Sequence, residues 1–140
     1  GSFLYSIYVM AKAASGDADM LTREDHVYLA EQQAIKHLSM GGPAVFLGHC
    51  ASEALKEKKK VIKVFIRSSD EEQKRSRIEK EYGISAAEVD STRKRFDRKR
   101  ANYYYANTNR KWENLRNYDI VLDSAVLGVE GCAAVLKGLV

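Results

Sequence analysis

The chain is poor in the residues that punctuate or staple a fold. Its 140 residues include one proline, Pro43, two cysteines and three histidines. No repeat, low-complexity tract or Pro-rich linker divides it, so residues 1–140 read as a single domain, long enough for a real core. Cys50 and Cys132 sit in apolar surroundings with no metal-ligand spacing, and His26, His37 and His49 form no cluster with them. A metal site held by Cys and His is therefore not expected, and two free thiols suit a reducing cytoplasm. Long hydrophobic runs are missing too. The apolar "FLYSIYVMAK" at 3–12 is about half a membrane span and has neither a basic region nor a cleavage site before it. A membrane partner is not expected.

What is present is a concentrated charge. The formal net charge is +4, yet residues 91–112, "STRKRFDRKRANYYYANTNRKW", hold eight basic residues and one acid, Asp97. The rest of the chain has 15 basic and 18 acidic groups, a net −3. Local basicity of this kind suits either a site or a solvated helix face.

Patterning predicts alternating helices and strands. An aromatic helix is expected over 3–14 and a loop over 15–19. Thr22, with Asp25 in the capping-box position, starts a helix to about Met40, which Gly41–Gly42–Pro43 ends. "AVFLG" (44–48) reads as a strand buried on both faces, and 51–60 as a short helix. "VIKVFI" (61–66) is a second strand. A charged helix runs from about 68–70 to Tyr82, Gly83 breaks it, and Ser85 begins a long helix through the basic stretch. "DIVLD" (119–123) is a third strand and 128–138 a last helix. The order argues an α/β fold, a parallel sheet with helices on both faces.

Such sheets bind ligands beyond the carboxyl ends of their strands. Here those ends carry "GHCAS" (48–52), "RSSD" (67–70) and "DSAVLG" (123–128). Small polar residues before a helix can offer backbone N–H groups to a phosphate, although they are also ordinary caps. Arg93, Asp97, Arg100 and Tyr104 follow spacings of four, three and four and share one helix face beside an apolar stripe of Val89, Phe96 and Tyr103. Asp97 can orient either guanidinium, and oriented arginines suit phosphoryl oxygens whose charge changes during transfer. The same spacing also fits a plain intrahelical ion-pair ladder. A nucleic-acid module stacking bases on Tyr103–Tyr105 and Trp112 is the other reading. Against it, consecutive residues of a helix point about 100° apart and form no single platform.

"VFLGHCASEAL" resembles the strand-turn-helix of cytidylate kinase-like proteins, V-I-V-G-R-C-A-D-x-x-L. "FLYSI", "EYGISAAEV", "FDRKRANYYYANTNRKW" and "NYDIVLDSAVLGVEG" are similar to later segments of that family in the same order. The resemblance covers nearly the whole chain. It implies a P-loop nucleoside monophosphate kinase that passes the γ-phosphoryl group of ATP to CMP or dCMP with Mg²⁺. It places Asp97 and Arg100 on the family's D-x-x-R, with Arg93 one turn earlier, in a helical lid over about 70–112. Lys74 and Arg77 then belong to the preceding lid helix, and Ser124–Gly128 lies near the adenine. Gly48, His49 and Ser52 fall in the acceptor site. There the family's Arg is His49 and its Asp is Ser52, so the acceptor is open. No G-x-x-x-x-G-K-[ST] occurs in the 140 residues. The resemblance therefore implies a partial P-loop kinase fold whose central first strand and phosphate-binding loop come from a missing upstream segment or another copy of the chain. Transfer by these residues alone is not expected, and a non-catalytic nucleotide- or phosphate-binding relative is the alternative.

Overall fold

The computed structural model describes Ala14 and residues 22–140. The helix expected over 3–14, Ala14 apart, and the loop at 15–19 lie outside the described residues. The chain divides into two compact units. One takes residues up to Val61 and Arg100–Glu113; the other takes Ile62–Lys99 and Asn114–Val140.

In the first unit, α1 spans Arg23–Met40 and begins as its sequence predicts. The Asp25 amide donates to Thr22 Oγ1 at 3.3 Å, and the Thr22 amide donates to Asp25 Oδ2 at 2.8 Å. Two amides left over by the helix geometry are thus satisfied reciprocally. Tyr28, Gln32, Ile35 and Ser39 are buried at helical spacing, so one face of α1 turns inward. Ile35 packs with Ala54 and Leu55, and Phe46, Ala51 and Val61 close around them.

Two expectations fail here. Residues 44–48 form no strand: Val45 and Leu47 are 90% and 85% exposed, while Phe46 packs into the core. A strand is buried on both faces only inside a sheet. Among the described residues none pairs with this one, so alternation sends two apolar side chains outward. The helix expected over 51–60 shrinks to α2, Ala51–Ala54. The lysine run Lys58–Lys60 that follows has no apolar face to bury and only like charges to align. Lys58 instead donates to the Ser39 carbonyl, and Lys60 turns left-handed at φ 62°.

The second unit holds β1 (Val64–Arg67), α3 (Glu71–Tyr82), α4 (Ala86–Thr108, shared at Lys99/Arg100 with the first unit), β2 (Ile120–Asp123) and α5 (Ser124–Lys137). β1 and β2 pair in parallel, Val64 opposite Ile120 and Arg67 opposite Asp123. The two strands begin later than 61 and 119. At those places the Lys63 carbonyl accepts from the Asp119 and Ile120 amides, and the Lys63 amide donates to the Asp119 carboxylate.

The charged helices keep their expected limits. Asp70 caps α3 by accepting from the Gln73 amide at 2.9 Å, and Gly83 ends it at φ 61°, a conformation that costs glycine little. The Glu88 carboxylate accepts from both the amide and hydroxyl of Ser85 at the start of α4. Ile78 and Val89 are buried, Tyr82 stacks on Phe96 with centroids 5.4 Å apart, and Arg75 pairs with Asp90. The Tyr82–Phe96 stack and the Arg75–Asp90 pair thus link the two helices of the hairpin. The last helix starts at Ser124 rather than 128, because Asp123 accepts from the Ala125 amide. Gly128, at φ 68° and ψ 175°, then interrupts it, so the regular portion follows that glycine.

Thr22→Ala removes the side-chain half of the capping box. It is expected to cost about 1 kcal/mol of stability in chemical denaturation, and Thr22→Ser should restore most of it.

Candidate functional site

In the first unit the polar residues gather around a turn of unusual backbone. Gly48, His49 and Cys50 are all left-handed, with φ of 68°, 53° and 52°. Glycine takes this region freely, whereas the other two are strained, at about 1 kcal/mol or more each. The neighbours hold them there. The Ala51 amide donates to the Gly48 carbonyl at 3.1 Å, and the Cys50 carbonyl accepts from the Glu53 and Ala54 amides. Buried Gln32 donates its side-chain amide to the His49 carbonyl at 3.3 Å. Cys50 is buried, and burial pushes its thiol up to about 12, with Glu53 and Glu31 adding to the effect. It is an inert core residue, as its sequence context predicts.

The His49 ring is held as well. Its Nδ1 lies 2.8 Å from Glu31 Oε1, and the Tyr103 hydroxyl donates to the other oxygen of the same carboxylate. Burial, then the Glu31 bond, raises the Tyr103 pKa, and burial moves Tyr28 beside it up to about 12. The two rings meet edge to face with centroids 6.4 Å apart. Ser52 lies beside the hydroxyl of buried Tyr104. Tyr104, which shares the arginine face through the unbroken helix, is buried, and Tyr105 is the exposed member of the three. Nearby, Arg110 and Lys56 both pair with Glu53, at 2.9 and 2.7 Å, lining an open concavity of about 310 Å³ with Thr108. Arg100 lies over the Trp112 ring at 6.0 Å.

The second unit carries two groups. At the ends of the paired strands, Asp123 accepts from the Ser69 amide at 3.0 Å, the Ala125 amide at 3.1 Å and Arg67 Nε at 3.2 Å. These bonds, that of the Ser69 amide foremost, hold its carboxyl below the usual range. Ser124 donates to the Arg67 carbonyl at 3.0 Å. Ser124 thus stitches the strand ends, while Gly128 stands four residues on at the kink.

The other group is on the α3–α4 hairpin. Lys74 and Arg93 both pair with Glu71, and Asp90 and Asp97 are close enough to reinforce the charge on Arg93. The Lys74 bond first and the Arg93 bond second lower the Glu71 pKa to about 2. Lys74 and Arg93 therefore converge, and Arg77 pairs with Glu81 along α3 instead. Sequence reasoning named Asp97 as a carboxylate able to hold either Arg93 or Arg100 and missed Glu71, which pairs with Arg93 from 22 residues away. It also missed Glu31, Gln32 and Glu53. Only the spacings of three in Glu53–Lys56 and Glu71–Lys74 were visible as local signals.

Comparison with known proteins decides the family. The profile of the cytidylate kinase-like family matches residues 1–126. The chain belongs to that family. No curated protein matches it. Among solved structures it is similar to an uncharacterized protein from Eubacterium ventriosum, with a TM-score of 0.73 and 20% identity over 84% of this chain and 74% of that one. At that identity the likeness concerns the fold, mixed α/β with a parallel sheet, as the sequence predicts. For the family member described here, no helix among the described residues is long and apolar enough to cross a membrane.

The Glu71 cluster has a pH signature. A carboxyl whose pKa drops from 4.5 to about 2 on folding stabilises the native state fully above 4.5. That contribution fades as pH falls from 4.5 through about 2, below which both states are protonated. Glu71→Gln should therefore be less stable than the parent at neutral pH, and the gap should close through this acid window. Denaturant midpoints measured across it check the expectation.

Proposed function

We propose that the protein is a nucleoside monophosphate kinase of cytidylate type, using ATP and Mg²⁺ to phosphorylate CMP or dCMP in the cytoplasm. The observation that carries the reading is the convergence of Lys74 and Arg93 on one carboxylate of a self-packed helical hairpin. Cations held by an exposed, easily displaced anion are ready for a nucleotide phosphate, which offers more charge and more acceptor oxygens. Lys74, Arg77 and Arg93 would bind phosphates, Asp97 would orient the guanidinium beside it, and Arg100 would meet charge that develops during transfer. Gly48, His49 and Ser52 would form the acceptor site, and Ser124 and Gly128 would border the adenine.

Among the described residues no cluster of three or more His, Cys, Asp or Glu side chains could hold a metal ion. In this reading Mg²⁺ would be bound chiefly by the nucleotide phosphates and their waters. The exposure of Val45 and Leu47 supports a further element of the reading: a strand pairs beside residues 44–48, bringing the glycine-rich loop and lysine of a P-loop. A non-catalytic relative would bind the same nucleotides and transfer nothing.

A thermal-shift panel on the full-length protein tests the ligand class. ATP and CMP should each raise Tm, since they stabilise the state they bind. Stabilisation by single-stranded oligonucleotides and not by mononucleotides would replace the kinase by a nucleic-acid module. In the active enzyme, Arg100→Ala should lower kcat on the order of 10²-fold, more than it raises KM. Asp97→Asn should cost less. Near-parental rates for both would return α4 to a plain ion-pair ladder, and nucleotide binding without transfer by the parent would establish the non-catalytic relative.

A further inference from the structure

The His49 ring is exposed on one side and fixed on the other. Its side chain is 65% accessible, yet its carbonyl is held by Gln32 and its Nδ1 by Glu31. A carboxylate only accepts hydrogen bonds, and a neutral imidazole has one N–H and one bare nitrogen. The Glu31 contact therefore requires the proton on Nδ1. Glu31 cannot turn away easily, because its second oxygen accepts from the partly buried Tyr103 hydroxyl. In the neutral ring Nε2, which has no partner among the described residues, is then a lone-pair acceptor. The left-handed φ of 53° holds the whole residue in this pose at the cost of strain, and such strain gathers at ligand sites.

We infer that Glu31 is a positioning residue that makes His49 an oriented hydrogen-bond acceptor, selecting the acceptor nucleotide by a neutral N–H or O–H group of its base or sugar. The inference rests on the kinase reading for the identity of the ligand. A guanidinium at this position would donate to phosphate or carbonyl oxygens; the imidazole as fixed here repels them through its lone pair. The matching groups are the exocyclic amine of cytosine and the hydroxyls of ribose. Uracil presents a carbonyl where cytosine has its amine, so two lone pairs would face one another. A mismatch of that kind in a partly desolvated site weakens binding on the order of tenfold.

The test joins a spectroscopic and a binding measurement on the full-length protein. Proton–nitrogen correlation NMR at about pH 8, above the ordinary imidazole range, should show the Nδ1–H tautomer of His49. Glu31→Gln lets an amide donate to Nδ1 and should convert the ring to Nε2–H. Calorimetry with CMP, UMP, dCMP and 3′-deoxy-CMP then identifies the group recognised. If it is the amine, the parent prefers CMP over UMP about tenfold and Glu31→Gln loses or reverses the preference. If it is a hydroxyl, the same substitution erases the preference for CMP over one deoxy analogue. An Nε2–H tautomer in the parent, or nucleotide preferences that Glu31→Gln leaves unchanged, would overturn the assignment. Absence of binding by every monophosphate, with the Nδ1–H tautomer in place, would overturn the kinase reading and the nucleotide specificity together, and leave Glu31 as the residue that sets the tautomer.

Discussion

One carboxylate, that of Glu31, ties together three stretches of chain that are distant in sequence: α1, the left-handed turn at 48–50 and the end of α4. Without it the turn would keep its strain and lose one of its restraints, and Tyr103 would leave a hydroxyl without that acceptor in a partly buried place. Gln32, the next residue on α1, supplies a second restraint through the His49 carbonyl. Adjacent residues of a helix point about 100° apart, so the pair can reach a turn from two directions. The core beneath, Ile35 with Ala54 and Leu55, keeps α1 and the end of α2 at the distance these bonds need. Burial that is non-directional thus sets the spacing, and the polar bonds set the orientation.

The same division explains what could be read in advance. Helix limits fixed by local chemistry were legible: Thr22 with Asp25, Asp70, Gly83 and Ser85 act on amides within a few residues of themselves. The charged hairpin and the two strands of the parallel sheet were legible for a similar reason, since their patterns repeat over short windows. Residues 44–48 were not, because an apolar run states that burial is wanted and does not say by what. Nor was 51–60, where helix propensity yields to a lysine run with nothing to pack on. Of the site, the cations and the glycine-histidine turn were visible, and their carboxylate partners were not. Glu31 stands 18 residues from His49, Glu71 22 from Arg93 and Glu53 57 from Arg110. No periodicity links positions so far apart.

Those carboxylates share a property that matters for a phosphate site. Glu71 and Glu53 each engage two cations, one a lysine of the same segment and one an arginine from elsewhere. Exposed pairs of this kind contribute little stability each. Their value lies in order: a guanidinium that would otherwise sample many rotamers is kept in one region, and a long basic helix avoids self-repulsion while no polyanion is bound. A group of low basicity such as Glu71, its pKa near 2, stays ionised through the physiological range. Under the proposed function a nucleotide phosphate, with its higher charge, would take its place. The basic stretch is therefore compatible with stability and with binding at once.

Position 49 shows why a histidine of this kind needs a fixed partner. An arginine has five donors and no tautomers, so it needs only to be aimed. A histidine can offer either a donor or an acceptor through the same atom, and without a fixed partner it recognises neither group well. Replacing one by the other is useful only if the surroundings choose the tautomer. Here an acceptor-only carboxylate makes that choice, a tyrosine steadies the carboxylate, and a strained backbone holds the ring toward solvent. A structure that merely tolerated a histidine in a turn would have no reason to gather all three, and a relaxed right-handed backbone at 48–50 would have been less costly.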